Sequence, residues 1–159
     1  MRDYSDTNKI PHKAGLYCLL GQTGNSTYDA YVGISNDVRK RMEQHLVRRN
    51  SSISTGVSAA ALIPDNVVGA VWWTDPIFSD TTSREAAELI AFDILNPVLR
   101  SRGRIRDEAR KLSQDVKFCT TITDIIGERT NKVNFLSPSD LRTEINELRD
   151  TLDEITNNE

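Results

Sequence analysis

The chain has 159 residues, of which 38% are hydrophobic and 27% charged, so we expect one domain with an extension. No apolar run approaches the length of a membrane span, and residues 1–6 lack the apolar segment of a signal peptide. We therefore expect a cytoplasmic protein rather than a membrane-spanning or secreted one. Two cysteines, Cys18 and Cys119, are too few to predict a disulfide framework or a zinc site.

The net charge of −3 hides an uneven distribution. Residues 137–159 hold seven acidic and two basic side chains, a local charge of −5, whereas residues 1–136 carry a charge of +2. A basic stripe is typical of a phosphate-binding surface, although many such runs are only a solvated helix face. The candidate contacts to a nucleic-acid backbone are Lys40, Arg48, Arg49, Asn50, Ser51, Arg100, Arg102 and Arg104.

Two short strands come first in the chain after a polar arm at residues 1–13. Apolar alternation over residues 14–20 and 30–34, with turn-forming residues between them, predicts a hairpin that brings Tyr17 close to Tyr31. Residues 67–74 predict a buried third strand with two tryptophans. Core packing is the default for both tryptophans, but we expect one of them to face outward or across an edge.

A helix is predicted directly after the hairpin. Asn36 is a suitable N-cap, and apolar residues recur at helical spacing from Val38 to Val47. Arg41 and His45 are four residues apart, so we expect them to share one face of this helix.

Further helices are predicted over residues 81–95, with Thr82 or Ser83 as N-cap, over residues 104–112, and over residues 118–126. A last helix begins at Pro138. Its apolar residues form a two-heptad stripe that must be covered. Packing back on the domain is the commoner outcome, and a homodimeric helix pair is the alternative. The stripe consists of Leu141, Ile145, Leu148, Leu152 and Ile155.

These residues, in this order, resemble the signature of the GIY-YIG nuclease family. The two strands carry Gly15-Leu16-Tyr17 and Tyr31-Val32-Gly33, the next helix carries Arg41 and His45, and Glu88 stands nine residues before Pro97 as in family members. The resemblance implies an α+β fold with a small three-stranded antiparallel sheet flanked by helices. It covers residues 14–100 and leaves residues 101–159 as a helical, possibly dimerising, C-terminal extension.

The resemblance also implies a role for each site residue. Glu88 would hold one Mg²⁺ or Mn²⁺, and Tyr17 would be the general base, its pKa lowered toward working pH by Arg41 and the cation. Tyr31 would position the water or bond the phosphate, Arg41 would neutralise charge in the transition state, and His45 would orient Tyr17 or shuttle a proton.

One position departs from the family pattern. Three residues after Pro97 the family usually has an Asn, and this chain has Arg100, which could contact a phosphate instead.

The function that we expect is a metal-dependent endonuclease that hydrolyses DNA, restriction-like or related to phage or repair nucleases. The alternative is a non-catalytic nucleic-acid-binding or assembly protein on a nuclease fold, and RNA is a third possible substrate. The residues do not predict the target sequence, whether one or both strands are cut, or the oligomeric state.

Overall fold

The computed structural model describes residues 2–51, 63–100, 103–135 and 138–157. The strands are β1 (Gly15–Thr23), β2 (Ser26–Ser35), β3 (Gly69–Trp73), β4 (Leu99–Arg100) and β5 (Lys132–Asn134). The α-helices are α1 (Val38–Met42), α2 (Thr81–Leu95), α3 (Asp107–Leu112), α4 (Val116–Gly127) and α5 (Pro138–Thr156). A π-helical turn, Glu43–Val47, continues α1, and three 3-10 helices lie at Ser5–Lys9, Pro64–Asn66 and Pro76–Ser79.

The strands form one mixed sheet in the order β4-β2-β1-β3-β5. Strand β1 pairs antiparallel with β2 and β3, β3 pairs antiparallel with β5, and β2 pairs parallel with β4. The α+β class is confirmed, but the predicted three-stranded antiparallel sheet is wrong, because the sheet has five strands and is mixed. The two additional strands lie at the edges and have only two and three residues, too few to show an apolar alternation.

Both faces of the sheet are covered. Tyr17 and Leu19 of β1 pack with Met42 on one face, while Leu16 and Cys18 pack with α2 and α4 on the other. The two tryptophans of β3 point to opposite faces and both are buried, so the expectation that one faces outward is wrong.

Helix α2 occupies the predicted residues, 81–95. Its N-cap is Asp80, whose carboxylate accepts a hydrogen bond from the Ser83 backbone N–H, rather than the predicted Thr82 or Ser83. Asp37 likewise caps α1 in place of the predicted Asn36. In both places more than one nearby side chain has suitable chemistry for an N-cap, and the structure uses an Asp.

Residues beyond 100 contribute to the same core as the residues before. Ile122 and Ile126 of α4 are buried against α2 and the sheet. Phe135 follows β5 and packs with Tyr4 and Ile10, two residues of the N-terminal arm, on the other face. The N-terminal and C-terminal segments therefore close the core on the side of Tyr17.

Helix α5 behaves differently, because its apolar stripe is exposed. Ile145, Leu148, Leu152 and Ile155 are 55–66% exposed, and the side chain of Leu141 lies outside the described residues. The four side chains therefore do not pack back on the domain. Among the described residues no helix, α5 included, is both long and apolar enough to cross a membrane.

Substituting Gly15 by Ala should destabilise the fold. A Cβ at this position would overlap the backbone carbonyl oxygen of Trp73 in the paired strand, which cannot move without breaking the ladder. We expect a loss of roughly 2 kcal/mol in the free energy of unfolding, measured by urea denaturation. Gly127→Ala is the matched control, because a Cβ there meets no atom within 4 Å among the described residues. Equal stability of the two variants would contradict this packing.

Candidate active site

A chain of hydrogen bonds connects Tyr17 of β1 to the segment after the π-helical turn. The Tyr17 hydroxyl lies 2.8 Å from Nε2 of His45, and Nδ1 of His45 lies 2.8 Å from the Ser51 hydroxyl. All three side chains are buried. Ser51, predicted as a contact to the nucleic-acid backbone, therefore points inward and holds His45 in place.

Tyr31 and Arg41 complete this cluster. The ring centre of Tyr31 lies 6.1 Å from that of Tyr17 and 5.6 Å from that of His45. The Arg41 guanidinium is near the Tyr17 hydroxyl and donates a hydrogen bond, 3.0 Å long, to Oε1 of Gln44. The structure thus brings together four of the five predicted catalytic residues in the manner that the hairpin and the helix predict.

Two local features of the backbone make this arrangement possible. Gly33 lies directly opposite Tyr17 in the β1–β2 ladder, and a Cβ at Gly33 would lie 2.6 Å from the Tyr17 hydroxyl oxygen. Only glycine therefore lets the phenol lie across β2. The π-helical turn, marked by the 2.8 Å bond from the Arg48 N–H to the Glu43 carbonyl, contains His45. Such turns are frequent at functional sites.

Burial keeps the two partners in the Tyr17–His45 hydrogen bond neutral. It raises the pKa of Tyr17 well above 10, an effect that Tyr31 reinforces and Arg41 only partly offsets. Burial, together with the charge of Arg41, lowers the pKa of His45 to about 3. Arg41 lowers the pKa of Tyr17 as expected, but burial outweighs its effect, and the expected contribution of the cation stays a prediction. The tautomer of His45 determines whether the Tyr17 hydroxyl or Nε2 donates the hydrogen bond between them, and likewise for Nδ1 and the Ser51 hydroxyl.

Glu88 lies in a different environment, on α2, which packs against the opposite face of the sheet from Tyr17. Its side chain is 2% exposed, and its carboxyl is near the backbone N–H of Ile34 at the end of β2. Its second oxygen, Oε2, has no hydrogen-bond partner among the described residues. Burial, and secondarily the charge of Glu85, raises the pKa of Glu88 to about 7.

A cleft of about 330 Å³ lies at the end of β2. The described residues that line it include Lys40, Arg41 and one acid, Asp37, but neither Tyr17 nor Glu88. Two lining residues adjoin the candidate catalytic groups, because the backbone of Ile34 is near the Glu88 carboxyl and the Arg41 guanidinium is near the Tyr17 hydroxyl.

The unpartnered oxygen of Glu88 suits a cation. A buried carboxyl oxygen without a donor is destabilising, and a hard divalent cation is the kind of group that satisfies it. Within the described ranges no group of three or more His, Cys, Asp or Glu side chains converges, so Glu88 would be the principal protein ligand. One carboxylate ligand is also what the resemblance implies.

The predicted nucleic-acid contacts near the first basic cluster differ in their surroundings. Lys40 and Arg48 are exposed, as is Asn50. Arg49 is held by an ion pair of 2.7 Å with Asp65 and has a left-handed backbone with φ of 54°. Lys40 is the member of this set that shares the cleft with Arg41.

The contacts predicted after Pro97 lie farther along the chain. Arg100 is stacked over the ring of Phe92 at 5.2 Å and donates a hydrogen bond of 3.4 Å to the Phe92 carbonyl at the end of α2. Its observed contacts are thus within the protein. Arg104 is exposed, and Arg102 lies outside the described residues.

The sequence does not predict two contacts of this site, namely that of Ser51 with His45 and that of the Ile34 backbone with Glu88. Ser51 follows His45 by six residues, too far for a helical neighbour, so only the chain reversal after the π-helical turn brings them together. Ile34 contributes its backbone N–H, which carries no side-chain signal.

Glu88→Gln should stabilise the protein at alkaline pH and not at acidic pH. Between pH 4.5, the ordinary pKa of a Glu side chain, and about pH 7, the folded protein keeps a proton that the unfolded chain has released. Stability therefore falls as pH rises through this window. We expect the variant to gain up to ~3 kcal/mol at pH 8 and nothing near pH 4, measured by urea unfolding. Exposed Glu147→Gln is the control, and a gain independent of pH would contradict the raised pKa.

No family model, curated protein or solved structure matches the chain. The likeness to GIY-YIG nucleases therefore depends on the ordered residues themselves, from Gly15 to Pro97. Membership of that family stays a prediction, and the geometry of the site is an observation independent of it.

Proposed function

We propose that this protein is a metal-dependent endonuclease that hydrolyses the phosphodiester bonds of DNA. The observation that carries the proposal is the buried Glu88 carboxyl with an unpartnered oxygen. The carboxyl is near the backbone of Ile34, which lines a cleft with Lys40 and Arg41. A purely structural role would not require a buried carboxyl whose pKa is raised to about 7.

The cleft has the charge and the donors that a phosphodiester needs. Lys40 and Arg41 are cationic, and a guanidinium donates two parallel hydrogen bonds to phosphate oxygens. Arg41 also contacts the Tyr17 hydroxyl. A phosphate bound by Arg41 would therefore lie close to the phenol, which is the arrangement required for proton transfer during hydrolysis.

Proton removal is the step for which Tyr17 and His45 are placed. Nε2 of His45 lies 2.8 Å from the Tyr17 hydroxyl, and in the tautomer that carries its proton on Nδ1 it would accept the phenol proton. Part of the low pKa of His45 comes from the charge of Arg41. A phosphate on Arg41 would offset that charge and raise the pKa of His45, which makes it a better acceptor.

A divalent cation, Mg²⁺ or Mn²⁺, would supply neutralisation of the charge that develops on the phosphoryl oxygens. Glu88 would hold it, and Tyr31, beside Tyr17 and His45, would orient the attacking water or the phosphate. Lys40, Arg48 and Asn50, exposed near the same helix, would contact the flanking DNA backbone.

A second candidate function is nucleic-acid binding without catalysis. The observation that favours it is the raised pKa of Tyr17, which keeps the phenol protonated in the structure described above. Binding alone, however, gives no reason for a buried carboxyl with an unpartnered oxygen.

Incubation with supercoiled plasmid and Mn²⁺ or Mg²⁺ distinguishes the two functions. We expect the wild type to convert the plasmid to nicked or linear DNA, and Tyr17→Phe and Glu88→Ala each to lower the rate at least about 100-fold. Tyr28→Phe, at an exposed tyrosine of β2, and Glu147→Gln are the controls and should retain full activity. Full activity in either site variant, or an inactive wild type that still binds DNA, would exclude the catalytic assignment. A parallel reaction with RNA tests whether RNA is a substrate.

Metal binding can be measured without catalysis. Millimolar Mn²⁺ should raise the Tm of the wild type at pH 8 because the ion binds the folded state through the Glu88 carboxylate. The same addition should have no effect on Glu88→Gln, and a smaller effect on the wild type at pH 5.5, where a carboxyl with a pKa of about 7 is protonated. An equal shift in wild type and variant would place the ion elsewhere.

A further inference from the structure

Helix α5 presents an apolar face that the described residues leave exposed. Ile145, Leu148, Leu152 and Ile155 follow one another at spacings of three, four and three residues, and each is more than half exposed. In the part of the chain that the structure describes, neither the sheet nor α1 to α4 packs extensively along α5. Four large apolar side chains in one stripe are typical of an interaction surface.

We propose that a second copy of this chain covers this face, through a parallel two-stranded coiled coil. This inference goes beyond the proposed function and does not depend on it. The stripe fits a heptad repeat with Ile145 and Leu152 at position a and with Leu148 and Ile155 at position d. By sequence count, Leu141 occupies the preceding d position. A helix of 19 residues carries the whole repeat.

The charges beside the stripe select the parallel orientation. By sequence count, Glu144 stands at position g and Arg149 at the following position e, five residues later. In a parallel pair these two positions face each other across the seam, so each copy's Glu144 would meet the other copy's Arg149 and the dimer would gain two ion pairs by symmetry. An antiparallel pair would instead set e positions beside each other, and those at 142 and 149 are both Arg.

The outer face of α5 disfavours two other kinds of partner. Its exposed positions away from the stripe carry acidic side chains, namely Glu147, Asp150, Asp153 and Glu154. These would repel both a nucleic acid and an anionic membrane surface. A partner with the same stripe and a matching ladder of charges is a second copy of α5.

Parallel pairing also fixes where the two domains lie. Each domain precedes α5 in the chain, so both would join the coiled coil at the Pro138 end of the helix. The two candidate clefts would then belong to the same end of the dimer and be related by a two-fold axis.

Cross-linking of the full-length protein tests the register. Under mild oxidation Leu148→Cys should form a disulfide-linked dimer, because equivalent d positions lie side by side in a parallel pair. Asp150→Cys, on the outer face of the same helix, is the matched control and should remain uncross-linked. The wild type is treated in the same way, to measure any cross-linking through the native cysteines Cys18 and Cys119. Equal cross-linking of the two variants, or none in Leu148→Cys, would overturn the proposal.

Charge reversal tests the orientation by an independent route. In sedimentation equilibrium over a range of concentrations, we expect the wild type to dimerise reversibly. Arg149→Glu should raise the dissociation constant about tenfold, because two attractive pairs become repulsive, and adding Glu144→Arg should restore it. A wild type that stays monomeric throughout, or a double variant as weak as Arg149→Glu, would refute the parallel dimer. Circular dichroism checks that each variant folds, which is expected for Arg149→Glu since Arg149 is exposed on the helix.

Discussion

Strand β1 is paired on both edges and covered on both faces, and the rest of the sheet and both apolar clusters are arranged around it. Its ladders with β2 and β3 set the register of the sheet, and its side chains alternate between two separate apolar clusters. Tyr17 enters one cluster and Leu16 the other. Because both clusters must form around the same five or six residues, β1 cannot slip by one residue without exchanging every contact.

The polar groups of the candidate site are placed against this apolar background at a cost to stability. Tyr17, His45 and Ser51 satisfy one another, so their burial is compensated by hydrogen bonds. Glu88 is not fully compensated, since one of its oxygens has no partner in the described structure. The site thus combines a rigid, satisfied cluster with one unsatisfied carboxyl, and the cleft at the end of β2 is lined by Arg41, near the first, and by Ile34, near the second.

Much of this arrangement follows from the sequence because long, periodic segments carry strong signals. Alternation predicts the hairpin, and helical spacing predicts α2 to the residue. Strands β4 and β5 are too short to show an apolar alternation, and each is a strand through its pairing with β2 or β3. The pKa of Tyr17 does not follow from the sequence for a different reason. Arg41 lowers this pKa, but burial raises it by more, and the depth of burial is a property of the folded core.

The π-helical turn after α1 has a consequence for how this region tolerates change. A turn that closes with bonds from residue i to i−5 holds one residue more than an α-helical turn, so it works as a built-in insertion. Deleting a single residue there would let an ordinary helix form, but it would rotate all following side chains by about 100°. Surface loops usually tolerate insertions and deletions. In this turn, however, the number of residues determines where the His45 imidazole and the Ser51 hydroxyl point.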